Sequence, residues 1–141
     1  MTRFIAIAVF TLMLVGCGGT YEDDKHNFER ALEFQCPTNV QVVHSIYWRS
    51  PHFSDEHCYF LELQPSEGSG ILKMLTTVPD VTPVTDASHE IPPSLALERP
   101  KWFAPNPHSA YDLWASTNQV STFGVLRDKK DGTIFVYGQV L

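Results

Sequence analysis

The sequence predicts an α+β domain: one short N-terminal helix packed on an antiparallel sheet of about five to six strands, with a long proline-rich loop. Three patterns predict it. Apolar residues fall at helical spacing around residue 30. From residue 40 they alternate with polar ones. Seven of the ten prolines then crowd into residues 79–107.

The helix is expected within residues 23–35. Asp23 or Asp24 can cap its first N–H groups, and Glu22 adds negative charge where the helix end is positive. Phe28, Ala31 and Leu32 form one apolar stripe, and Pro37 stops the helix. Residues 40–48 alternate as a strand, with Val40, Val42, His44, Ile46 and Trp48 on one face. Residues 57–64 form its hairpin partner about the polar loop 49–56, which sets Cys58 opposite Tyr47. Residues 71–78 read as a third strand. Residues 120–127 and 133–140 flank a turn ending in Gly132, and residues 110–115 are a weaker sixth strand. In the last hairpin either allowed register puts Phe123 and Val125 with Ile134 and Val136. Either also sets Gly124 where an aromatic ring across the ladder can cover it. Both faces of this hairpin are apolar, so it belongs at the centre of the sheet. The expected core includes Phe28, Leu32, Val42, Ile46, Phe60, Leu61, Ile134 and Val136.

The chain has 141 residues, of which 43% are hydrophobic and 18% charged, a globular composition for a single domain. Its net charge of −6 argues against a nucleic-acid partner, since phosphate binding needs clustered Lys and Arg.

The first residues carry an address. Arg3 precedes an apolar run from Phe4 to Val15, broken only by Thr11. At 1.5 Å per residue this run is about 18 Å long, too short for a hydrocarbon core of about 30 Å, and it matches an export signal. It ends in Leu14-Val15-Gly16-Cys17, which resembles the lipobox of bacterial lipoproteins. The resemblance implies a signal peptide over residues 1–16, cleavage before Cys17, and a diacylglycerol on the Cys17 thiol with further acylation of the new amino terminus. It also implies a cell-envelope protein held to a membrane by lipid, on the outer membrane if the host is Gram-negative, because residue 18 is Gly and not Asp. Residues 17–22 then form a lipidated tether and residues 23–141 the domain. Loss of residues 1–16 removes Arg3 and no acid, so the net charge goes from −6 to −7, which suits a basic protein partner.

Few residues offer chemistry. Cys36 and Cys58 could form a disulfide in an exported domain. The hairpin sets them about eleven residues apart along a strand, tens of Å at roughly 3.3 Å per residue. Hairpin and disulfide therefore exclude each other unless the chain before Val40 folds back. His44, His52, Asp55, Glu56 and His57 are the metal candidates by residue type, although their spacing matches no zinc motif. They could equally be a solvated turn with one packed histidine. Lys101, Trp102 and Phe103 sit between prolines. They form either a partner-binding surface or pegs that pin the loop, leaving the arm over residues 79–99 accessible. No nucleophile elbow, phosphate loop or metalloprotease motif is present, so a non-catalytic binding domain is expected, with no cofactor beyond the lipid. The alternative is a metal- or small-ligand-binding lipoprotein using residues 52–57.

Replacing Cys17 by Ser should abolish incorporation of an acyl label. Unchanged labelling of Cys17→Ser would contradict the lipobox reading.

Overall fold

A computed structural model describes residues 18–52, 54–86, 91, 96–117 and 121–141; the expected signal segment over residues 1–16 and the expected lipidation site Cys17 lie outside the described residues. Among the described residues, seven strands form one antiparallel sheet. They are β1 (Gly19–Glu22), β2 (Val40–Arg49), β3 (His57–Pro65), β4 (Thr82–Val84), β5 (Tyr111–Thr117), β6 (Ser121–Asp128) and β7 (Ile134–Val140). Their spatial order is β1-β2-β3-β7-β6-β5-β4. Two six-residue helices, α1 (Asn27–Leu32) and α2 (Ile71–Thr76), are the remaining α structure. The expectation of an α+β fold with five to six strands is therefore corrected. The molecule is a β-sheet fold with two small helical covers.

Each correction has a local cause. Residues 71–78 were expected as a strand, but Ile71 and Leu75 are buried four residues apart on a helix that Gly70 opens in a left-handed conformation. A short apolar run does not distinguish the two periods. Gly19–Glu22 was expected within the tether, yet it pairs with β2 from Gly19↔Arg49 to Glu22↔Ile46. β4 contains Pro83 and survives because it is an edge strand, where one missing N–H is tolerated. Part of the expected surface arm is thus in the sheet. The helix near residue 28 is shorter than expected, since Glu33 turns left-handed and ends it.

β2 also departs from simple alternation. A register shift between Val42 and His44 moves later residues to the opposite face. Val40 and Val42 therefore pack with Tyr47 on one face, while Ile46 packs on the other. The hairpin closes at Arg49↔His57, so Cys58 lies opposite Trp48 and not Tyr47.

The two faces have different roofs. On the first, Phe28 and Ala31 of α1 and Ile71 and Leu75 of α2 pack on Leu61, Leu63, Val125, Ile134 and Val136. Asn27 pins α1 in place. Its amide donates to the Tyr21 carbonyl at 2.8 Å and to Ser45 Oγ at 3.1 Å, and its oxygen accepts from Arg30 at 3.0 Å. On the second face no helix covers the sheet among the described residues. Phe103, 1% exposed, packs there on Phe60, Phe135 and Tyr137. The Arg99 guanidinium holds this turn by donating to the Phe103 carbonyl at 3.1 Å and the Ala104 carbonyl at 2.6 Å.

The last hairpin follows the sequence parity. Val125 pairs with Val136 and Gly124 with Tyr137, and β7 is the central strand. A Cβ at Gly124 would collide with the Tyr137 ring, and one at Gly138 with the Tyr59 ring. Close cross-strand approach, not turn formation, is what requires glycine there. Burial pushes the Tyr137 phenol up to about 12, so it is neutral in the core.

Phe103→Ala should cost about 3–5 kcal/mol in urea unfolding, as for other buried Phe residues. The half-buried Trp102 should cost less on truncation, about 1–2 kcal/mol. The reverse order would show that the loop is anchored through Trp102.

Candidate functional site

β2, β3 and β7 come together at one end of the sheet, and their pairing sets Trp48, Cys58 and Gln139 in one row. Strand alternation puts this row on the second face, the side of Ile46, Phe60 and Tyr137. Beside the row lies a cleft of about 430 Å³, bordered also by Glu56, Ala96 and the C-terminal Val140 and Leu141. Its walls are largely apolar. Cys58 lies on the floor and is 2% exposed, whereas Leu141 at the mouth is 55% exposed. Glu56 is the carboxylate at the rim, and its Oε2 accepts from Ser54 Oγ at 3.0 Å.

His57 borders the same cleft, but its ring belongs to the other face. It stacks on Tyr47 at 5.7 Å and on Tyr59 at 6.3 Å between centroids. Its Nδ1 lies 2.7 Å from the Asp55 carbonyl, which accepts from the protonated nitrogen. Adjacent strand residues point to opposite faces, so His57 and Cys58 are not arranged as a base and nucleophile.

The metal candidates are dispersed. His44 lies mid-strand, 3.5 Å from Asp23 and stacked on Trp102 at 5.4 Å. Asp55 points to solvent beside Arg49, and the side chain of His52 is exposed. Among the described residues no three His, Cys, Asp or Glu side chains group as a metal site. Glu56 and Cys58 border the apolar cleft, while the His57 ring stacks on Tyr47 and Tyr59 on the other face.

The aromatic candidates separate as well. Lys101 is exposed, Trp102 half-buried over His44, and Phe103 in the core. Cys36 and Cys58 are not joined in a disulfide. Cys36 Sγ sits 3.6 Å from the Val40 carbonyl, at the far end of β2 from Trp48. That separates the two cysteines by roughly 25 Å along the strands, well beyond disulfide reach. Burial pushes the Cys36 thiol up, which makes it less reactive.

A second cleft, of about 320 Å³, opens beside β4 and the start of β5. Asp112 and Lys129 on its wall are already paired, whereas His108 Nε2, also on its wall, is buried without a hydrogen-bond partner among the described residues. Asp112 pairs with Arg127 at 2.5 Å and with Lys129 at 4.0 Å, and Lys129 donates to the Ser109 carbonyl at 2.9 Å. The cleft at Cys58 has the more apolar walls and is the candidate ligand site. The spacing rules missed it because its residues come from three strands and both ends of the domain. The cue available was the Trp48–Cys58 pairing, which a one-residue error in register hid.

Comparison with protein-family models, with curated proteins and with solved structures finds no match to this chain.

Alkylation of the unreduced, denatured protein with a maleimide should add one adduct on Cys36 and one on Cys58. Absence of both adducts, with recovery on reduction, would show a disulfide.

Proposed function

We propose that this chain is a lipid-anchored, non-catalytic binding domain of the bacterial cell envelope whose ligand is a small, largely apolar molecule. The anchoring rests on the lipobox at Leu14-Val15-Gly16-Cys17. The ligand reading rests on the cleft at the end of β2, β3 and β7. Its volume of about 430 Å³ falls within the usual range for small-molecule sites. Its composition also fits that class, with largely apolar walls and a few polar residues, Glu56, His57 and Gln139, along its border.

Apolar burial supplies the affinity in such a site, at about 25 cal/mol per Å² removed from water. Trp48 supplies a flat wall and Cys58 a small apolar floor. The ligand reading is favoured over the metal reading because the candidate ligands His44, His52 and Asp55 point to separate neighbours or to solvent. It is favoured over catalysis because His57 and Cys58 occupy opposite faces.

The test is a titration of the chain from Gly18 to Leu141, which lacks the apolar leader and the lipidation site, with N-phenyl-1-naphthylamine, an apolar fluorophore. A saturable, one-to-one rise in emission is expected. Ala96→Trp, which crowds the rim from an exposed position, should weaken binding about tenfold, equivalent to about 1.4 kcal/mol. Equal binding by both forms would place the probe elsewhere and overturn the reading.

A further inference from the structure

We propose that the cleft beside Trp48 and Cys58 takes the acyl chain of a phospholipid from the membrane to which the protein is anchored. The inference deepens the proposed function and rests on its lipid anchor. It starts from where the chain enters the fold. The sheet pairing runs Gly19↔Arg49, Arg49↔His57, His57↔Val140 and Val140↔Ser121, one row across five strands. That row is the end of the sheet at which the cleft opens, since His57 and Val140 both border it. The amino-terminal segment therefore enters at the cleft's end of the molecule.

Little slack separates this row from the anchor. Cys17 is two residues from Gly19, so its Cα is within about 8 Å of Gly19 Cα. His57 is two strand spacings from Gly19, or about 10 Å. Gly18 does not serve as a free swivel. A Cβ at this position would collide with the backbone of Ser50 and Pro51, so the chain lies flat on the β2–β3 loop. An acylated Cys17 thus holds the open end of the cleft within a few residue lengths of the lipid surface.

At that position the most abundant apolar ligand is a lipid tail, presented at high effective concentration by the tether. The cleft suits a tail better than a headgroup. Trp48, Cys58, Ala96, Val140 and Leu141 give it apolar walls. The Glu56 carboxylate at its rim and the net charge of −7 after removal of Arg3 from a chain of −6 disfavour an anionic head. A phospholipid with a zwitterionic head can place one chain in the cleft and leave its head at the rim.

The experiment uses the full-length, lipidated protein in phosphatidylcholine vesicles that carry a diazirine at the end of one acyl chain. After photolysis, peptide mapping locates the cross-links, and acylation of Cys17 is measured on the same samples. Cross-links on Trp48, Cys58 or Val140 are expected. They should fall at least about fivefold in both Ala96→Trp and Leu141→Arg, two substitutions at exposed rim positions, while acylation stays normal. Normal acylation with cross-links absent from the cleft, or unchanged in both variants, would overturn the inference and leave the anchor standing. A Cys17 without acyl groups would overturn the anchor and the inference with it.

Discussion

Phe103 is the side chain on which the second face of the sheet depends. The central strands β3, β7 and β6 carry apolar residues on both sides, so both sides need cover. Two short helices cover the first. On the second, a proline-rich segment does the work of a helix, and such a segment has no internal hydrogen-bond ladder to keep its shape. Its most deeply buried ring, Phe103, is wedged between Phe60, Phe135 and Tyr137, with Ile91, Leu97, Trp102 and Ala104 packed in the same cluster, and the Arg99 guanidinium spans two of its carbonyls. Ala104, next in sequence, is held at a φ of 44°, a left-handed conformation that costs a non-glycine residue roughly 1–2 kcal/mol. The contacts around Phe103 and Arg99 offset that cost. Asn106 extends the fastening by donating to Asp128 at 3.1 Å, which ties the segment to the β6–β7 turn.

This fastening also shapes the candidate site. The segment covers the middle of the second face, where Phe60 and Tyr137 lie, while the row formed by Trp48, Cys58 and Gln139 sits at its margin. There Ala96 is the segment's contribution to the rim. The same end of the sheet receives the chain from its amino terminus. An apolar cleft, an open rim and the entry of the amino-terminal chain at Gly19 thus coincide because β1 pairs with β2 and β7 is inserted beside β3. Strand order joins these features, and no single motif encodes them.

The parts of the fold visible in the sequence were those fixed by local periodicity. The last hairpin was legible because parity alone decides which residues share a face, whichever turn closes it. Gly124 under Tyr137 followed from the same argument. β2 was legible as a strand but not in its faces, because the bulge near Val43 reverses them and leaves no compositional mark. α2 was hidden because Ile71 to Thr76 is too short to show whether its period is two or 3.6. β4 was hidden by Pro83, which weighs against a central strand but not against an edge. The site was the least legible part. His52 to His57 looked like a cluster in sequence, yet the ends of that stretch point to solvent and to opposite faces. Lys101, Trp102 and Phe103 looked like one surface, and the fold distributes them between solvent, His44 and the core.

Native-state hydrogen exchange at the Phe103 amide tests the central claim most directly. This N–H donates to the Pro100 carbonyl at 3.0 Å within the irregular segment. If the segment is an integral roof of the sheet, the amide should exchange only through global unfolding, with the same opening free energy as the amides of β7. Exchange of Phe103 through a local opening well below that free energy, with β7 still protected, would contradict the account. It would show that the sheet stands without its proline-rich cover.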